Sequence, residues 1–133
     1  MNKLIVCTHG NLGEEILKTS EMLVGPIDDV KVFSLIPGQS PNDYLNKIQD
    51  YVNLDSKCNY IILVDLFGGT PSNVTAMLTK NNDNVYIVTG VNIGMFLEVY
   101  MNLNNYHPGK IQDIAVDVGQ SSIINLNKKM KGD

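Results

Sequence analysis

The chain is 133 residues long and lacks an apolar run near the roughly 20 residues that a membrane-spanning helix needs. Direct membrane insertion is therefore not expected. It has no run of basic residues, and its formal net charge is −4, which argues against nucleic acid and anionic membrane surfaces as partners. No signal-peptide pattern precedes the first apolar run, so a cytoplasmic location is expected. Cysteine is scarce: only Cys7 and Cys58. Cys7 falls near the end of one predicted strand and Cys58 before the start of another. In neighbouring parallel strands they lie on the order of 17 Å apart, too far for a disulfide. Both read as small buried residues in a reducing compartment. There is no GxxxxGK[ST] loop for a nucleoside triphosphate, no kinase signature and no cluster with metal-ligand spacing. No cofactor or metal is implied. Internal repeats, linkers and low-complexity segments are also missing, so residues 1–133 read as one domain, with 44% hydrophobic and 18% charged residues as in a folded globular chain.

What is present is an alternation of strand and helix patterns. Leu4-Ile5-Val6-Cys7 is a short continuous apolar run, as in a strand buried on both faces. It ends in Thr8-His9-Gly10, and helical periodicity follows, with Leu12, Ile16, Thr19 and Leu23 on the expected inner face and Gly25-Pro26 as the stop. Val30 to Ile36 reads as the second strand. Ser40-Pro41-Asn42-Asp43 opens a helix with a capping serine, proline in the first position and an early carboxylate, and Tyr44, Leu45, Ile48 and Val52 face inward. Tyr60 to Val64 is the third strand. Asp65 and Leu66-Phe67-Gly68-Gly69-Thr70-Pro71-Ser72-Asn73 then lead into a helix ending near Lys80. Asn84 to Thr89 is the fourth strand, Gly90 to Gly94 a loop, and Met95 to Leu103 a helix. A helix from about Lys110 keeps Ile111, Ile114, Ala115 and Val118 inside. Ser121 to Leu126 is expected as a last, antiparallel edge strand, followed by a solvated tail from Lys128 to Asp133. The expected fold is an α/β open doubly wound sheet: four parallel strands plus the C-terminal antiparallel strand, with helices on both faces.

Right-handed crossovers bring all strand-to-helix loops to one edge of such a sheet. His9, the Asp65 loop and the Gly90 loop then converge where ligands bind in open α/β sheets. There Asp65 can accept a hydrogen bond from one ring nitrogen of His9, fix the tautomer and leave the other nitrogen as a nucleophile. Gly68 and Gly69 expose backbone N–H groups at a helix N-terminus, an anion site to which Thr70 adds a hydroxyl. A nucleophilic imidazole, an orienting carboxylate and an anion cradle suit transient phosphoryl transfer to histidine. With neither nucleotide loop nor metal cluster, the phosphoryl group is expected to come from another protein. His107 reads as a surface loop residue.

These residues carry a resemblance. Cys7 to Gly10 (CTHG), Val64 to Asn73 (VDLFGGTPSN) and Gly90 to Met95 (GVNIGM), in this order, resemble enzyme IIA of the mannose-type (mannose–fructose–sorbose) sugar phosphotransferase system, over Lys3 to about Leu126. The resemblance implies that His9 is phosphorylated at Nε2 and that Asp65 is its hydrogen-bonding partner. It implies that Thr70 and the backbone around Gly69 hold the phosphoryl group. HPr would be the donor, and enzyme IIB the acceptor, serving the membrane IIC/IID permease in sugar uptake. Leu66 and Phe67 suit partner docking, while Met95 and Phe96 suit core packing at least as well. Cys7 stands where the family more often has glycine. No IIB domain follows in the chain, so IIA is expected as a separate subunit. The resemblance also implies a homodimer in which the C-terminal strand lies in the partner's sheet, although the same strand could pair within its own chain. Two alternatives remain: the phosphoryl donor of dihydroxyacetone kinase, against which GVNIGM speaks, and a flavodoxin-like module holding a phosphate-bearing ligand. A receiver domain phosphorylated on Asp65 fits less well, since Thr8-His9 stands where an acidic pair for magnesium belongs.

Overall fold

A computed structural model describes residues 1–132. Its centre is a four-stranded, all-parallel sheet of β1 (Asn2–His9), β2 (Val30–Leu35), β3 (Asn59–Val64) and β4 (Val85–Thr89), in the order β2-β1-β3-β4. The strand order reverses between β1 and β3, so their carboxyl ends flank a topological switch point. The register sets Cys7 of β1 opposite Val64 of β3 and His9 opposite Leu35 of β2.

Successive residues of the two central strands feed opposite faces, as the pleat requires. Ile5, Cys7, Ile62 and Val64 pack against Tyr44, Ile48 and Val52 of α2 (Pro41–Asn53) and Val74 and Leu78 of α3 (Thr70–Leu78). Leu4, Val6, Ile61 and Leu63 pack against Ile16 of α1 (Leu12–Val24), Phe96 and Val99 of α4 (Ile93–Asn102), and Ile111 and Ala115 of α5 (Pro108–Ser121). A strand buried on both faces cannot alternate polar and apolar residues, which is why β1 and β3 read as continuous apolar runs. Each buried aliphatic side chain contributes about 1.5–3 kcal/mol, so these two strands dominate the apolar driving force.

The elements follow the expected order, with four differences. The first is the face of α1. The buried residues are Gly13, Ile16 and Ser20, whereas Leu12, Thr19 and Leu23 are exposed. Gly13 explains this. A Cβ there would lie 2.9 Å from Val32 Cγ1 and 3.2 Å from Val6 Cγ1, so the missing side chain lets the helix seat directly on β1 and β2. Hydropathy does not mark glycine as an inward residue, and the helix is turned accordingly. Thr8, fully buried, locks this seat: its Oγ1 accepts the Gly13 N–H at 2.9 Å and donates to the Gly10 carbonyl at 3.4 Å.

The second is that α4 begins at Ile93, not Met95, because Asn92 caps it by accepting the Met95 N–H at 2.9 Å. The third is that His107, exposed as expected, also caps α5 by accepting the Gly109 N–H on Nδ1 at 3.1 Å. The fourth corrects the C-terminal strand. Ser121 is the last residue of α5, residues 122–125 are irregular, and α6 (Leu126–Met130) follows. Nothing in residues 121–126 pairs with the sheet, and Ile123, Ile124 and Leu126 are exposed. β-branched residues give a segment strand propensity, but a strand exists only where it pairs, and residues 121–126 pair with neither β2 nor β4. Of the expected tail, Lys128 to Lys131 is exposed and Asp133 lies outside the described residues.

Cys7 and Cys58 are both buried free thiols. Burial pushes the Cys7 thiol up from 9.0 to about 12; a hydrogen bond with Tyr44 opposes this and the Asp65 charge adds to it. Burial likewise raises the Tyr44 phenol, whose hydroxyl donates to the Phe33 carbonyl at 2.6 Å.

Two outcomes are expected. Thr8→Val keeps the shape of the side chain but leaves the Gly13 N–H buried and unpaired, and should lower stability by about 1–3 kcal/mol in urea titrations. Because the folded-state pKa of Cys7 lies above the unfolded value, the contribution of its neutral thiol is complete below pH 9 and lost as the pH rises toward 12. Stability should therefore fall over that window, and fall less steeply in Cys7→Ala; equal slopes in the two proteins would contradict the assignment.

Candidate functional site

His9 is the last residue of β1, and Asp65 follows directly on β3, so the switch point brings the two together across one strand spacing. A single carboxylate oxygen, Asp65 Oδ2, accepts both the His9 main-chain N–H at 2.9 Å and the ring Nδ1 at 2.9 Å. The aspartate side chain thus continues the β1–β3 ladder for one more step and turns the imidazole in the same act. A carboxylate only accepts, so Nδ1 carries a proton, and in the neutral imidazole Nε2 then keeps its lone pair. The other oxygen, Oδ1, is buried with no partner among the described residues. The carboxylate side chain is only 12% exposed and the imidazole 47%. The acid is held in the protein, and the ring faces outward.

The loop after Asp65 forms the other wall. Gly68 has φ +86°, a conformation that favours glycine. Gly69 caps α3 with no side-chain cap bond, leaving first-turn N–H groups of the helix without that satisfaction. Asn73 reaches back and donates to the Gly68 carbonyl at 3.2 Å, tying the turn to the helix. Gly69 itself lies against the imidazole: a Cβ on it would fall 2.7 Å from His9 Cε1 and 3.2 Å from Nε2. The α3 N-terminus therefore stands beside the free ring nitrogen. Thr70 is the first residue of that helix and is half-buried. The helix dipole and backbone donors at this end favour an anion.

Leu66 and Phe67 are 60% and 83% exposed on the same loop. Leu12, after β1, and Ile36, after β2, are also exposed at this edge. Met95 and Phe96, by contrast, are buried in the core beside α5. The structure thus brings His9, Asp65 and Gly69 into contact, with Thr70 at the adjoining helix start and Leu66 and Phe67 on the rim. The third converging loop contributes differently. Val91 N–H donates to the Val64 carbonyl at 3.0 Å, bracing the residue before Asp65. Asn92 Nδ2 donates to the Gly119 carbonyl at 3.0 Å, so one side chain both caps α4 and holds the end of α5. Sequence reasoning missed Thr8 and Asn92. The signal for Asn92 is its place as a capping residue type three positions before Met95, and for Thr8 its place between a strand and a histidine. No group of three or more His, Cys, Asp or Glu suited to a metal ion occurs among the described residues, and no described helix is long and apolar enough to cross a membrane.

The chain and its fold have counterparts among known proteins. The family model EIIA-man, described as the PTS system fructose IIA component, matches residues 3–114. The PTS system mannose-specific EIIAB component of Escherichia coli (strain K12) is 29% identical over 129 residues, which is 95% of this chain; the chain spans 40% of that relative's length. The crystal structure of phosphotransferase system component EIIA from Streptococcus agalactiae superposes with a TM-score of 0.89 at 27% identity, covering 96% of this chain and 99% of that one. The PTS IIA protein associated with the fucose utilization operon of Streptococcus pneumoniae gives a TM-score of 0.84 at 30% identity, covering 97% and 96%. With a match over 3–114 that takes in β1 from Lys3 to His9, the Asp65 loop and the Asn92 loop alike, the chain belongs to the EIIA-man family of the phosphotransferase system.

Proposed function

We propose that this protein is a phosphoryl carrier of the sugar phosphotransferase system. Residues 1–133 act as one IIA domain in the cytoplasm. His9 takes a phosphoryl group at Nε2 from HPr and passes it to enzyme IIB, which serves the membrane IIC/IID permease during sugar uptake. The observation that carries this reading is the shared oxygen: Asp65 Oδ2 holds both the His9 backbone and Nδ1 at 2.9 Å, which leaves Nε2 outward, unprotonated and beside the α3 N-terminus.

The chemistry follows from that geometry. The Nε2 lone pair attacks phosphorus, the Nε2–P bond forms, and the bond from phosphorus to the donor breaks with its electron pair returning to the donor. No proton leaves the ring. The product imidazole keeps its Nδ1 proton and gains positive charge, which the Asp65 carboxylate offsets at close range. In the second transfer the same bond breaks, and the neutral, correctly tautomeric ring is restored. The backbone around Gly69 and the Thr70 hydroxyl hold the phosphoryl oxygens at the helix N-terminus. Leu66 and Phe67 form the apolar part of the docking rim for HPr and enzyme IIB. Large exposed apolar residues beside a reactive group suit transient protein contacts.

The reading extends to a homodimer. Ile123, Ile124, Leu126 and Met130 are exposed on a terminal segment without a sheet partner, and β2 and β4 are open edges within one chain. A second copy of the chain would cover this segment, with Ser121 to Leu126, irregular and helical at its ends in the single chain, adding as a strand to one open edge of the partner's sheet.

Incubation with phosphoenolpyruvate, enzyme I and HPr should add one phosphate, labile to acid and stable to base, that is absent in His9→Ala. Label that persists in His9→Ala would remove the assignment. Asp65→Ala should fold normally yet accept phosphoryl about 10² times more slowly or worse, through loss of tautomer control; an unchanged rate would reduce Asp65 to a structural cap. Light scattering should give twice 14.7 kDa, and a chain cut after Gln120 should dissociate or aggregate. A full-length chain that stays monomeric at tens of micromolar would remove the dimer.

A further inference from the structure

The most unusual contact in the site is made by a residue with no side chain. Gly69 has φ −79° and ψ 172°, an extended conformation open to any L residue. Its backbone therefore does not require glycine, unlike that of Gly68, with φ +86°. The requirement is steric, and the nearest neighbour sets it: an added Cβ would meet His9 Cε1 at 2.7 Å and His9 Nε2 at 3.2 Å, with the Leu66 carbonyl next at an ordinary 3.7 Å.

We propose that Gly69 is a positioning residue for phosphoryl transfer: the space left by its missing side chain lets the imidazole of His9 lie where Nδ1 meets Asp65 and Nε2 meets the start of α3. This rests on the phosphoryl-carrier reading above and adds to it how the ring is kept in its reactive pose.

The ring is held from two sides. Asp65 Oδ2 fixes the Nδ1 corner at 2.9 Å, and Gly69 closes on the Cε1–Nε2 side. The backbone of His9 cannot yield, because its N–H is bonded to the same carboxylate oxygen and the next N–H, of Gly10, donates to the Leu35 carbonyl at 2.8 Å. Gly69 is held as well, with its carbonyl accepting the Asn73 N–H at 2.9 Å in the first turn of α3. A methyl group at position 69 thus meets a ring with one easy escape: rotation about the His9 side-chain bonds toward solvent, where the imidazole is already half exposed. That rotation pulls Nδ1 away from Asp65. The tautomer is then no longer enforced, and in a free imidazole the proton is shared between both nitrogens. Nε2 becomes a donor for part of the time and leaves the helix N-terminus. A residue that merely filled space would not affect the tautomer at all.

The test is Gly69→Ala, with Asp65→Ala as the reference for full loss of tautomer control. Nitrogen NMR of the ring in the unphosphorylated wild-type protein should show a protonated Nδ1 and an unprotonated Nε2. In Gly69→Ala, with unchanged circular dichroism, the two nitrogen signals should move toward those of Asp65→Ala, and the rate of phosphorylation by phospho-HPr should fall by about 10-fold or more, in the direction set by losing the oriented base. Wild-type nitrogen shifts in Gly69→Ala would overturn the proposal, whether or not transfer slows, since a slow variant with the correct tautomer acts on the phosphoryl group instead. Should Gly69→Ala fail to fold, the wild-type protein still decides: a strong proton NOE between His9 Hε1 and the Gly69 α-protons is expected, and its absence would overturn the contact. A wild-type protein that HPr does not phosphorylate would defeat the carrier reading alone, because the ring-nitrogen and NOE measurements need no phosphoryl donor.

Discussion

The pairing of β1 with β3 is the constraint on which everything else here depends. It is a parallel pairing of two strands distant in sequence, with Cys7 opposite Val64, and its register decides which residues emerge together at the carboxyl edge. A slip by one position would send every side chain of a strand to the other face. It would also separate His9 from Asp65. Burial of both faces of both strands makes such a slip very costly, so the apolar core acts as the positioning device for a polar site that lies outside it. Asp65 then extends the ladder with its own carboxylate, and the rigidity of the sheet passes directly to the imidazole.

The two walls of the site have different origins. The Asp65 wall is a strand end, braced from behind by the Val91 N–H on the Val64 carbonyl. The Gly69 wall is a turn and a helix start, shaped by the positive φ of Gly68 and tied down by Asn73. Between them stands a half-exposed ring whose acid partner is largely buried. That division suits a group that must keep one tautomer while meeting partners. Charge is compensated inside, where competition from water is weak, and Nε2 is left at the surface. The exposed Leu66 and Phe67 lie on the loop that supplies the Gly69 wall, so an approaching protein would touch the same segment that holds the ring.

Away from the site, close approach rather than hydropathy sets several details. Gly13 seats α1 on the sheet, and Gly119 accommodates Met95, whose Cε would lie 2.7 Å from an added Cβ. Both glycines are buried at helix–sheet or helix–helix contacts. Thr8 and Asn92 then bind these seats with hydrogen bonds that cross from one element to another. The same logic explains how α1 turns a different stripe inward from the one its apolar residues suggest.

The sequence by itself determined the order and type of the main elements, because apolar runs of four or five residues bounded by turn signals are too short for helices and read as strands covered on both sides, and Ser40-Pro41 or Gly25-Pro26 punctuate helices by local backbone chemistry alone. It also determined that His9 and Asp65 fall at strand ends, since Asp65 directly follows its run and His9 follows its own after Thr8 alone, and parallel topology then sends both ends to one edge. Tertiary structure alone decided the rest. That one oxygen of Asp65 serves both the backbone and the ring of His9 depends on the β1–β3 register, a long-range pairing with no local signature. That α1 buries Gly13 and Ser20 instead of Leu12 and Leu23 depends on the distance between helix and sheet, which hydropathy does not encode. Residues 121–126 have the β-branched composition of a strand, yet neither open edge, β2 or β4, receives them within the chain, because a strand is made by pairing and propensity does not supply the pairing.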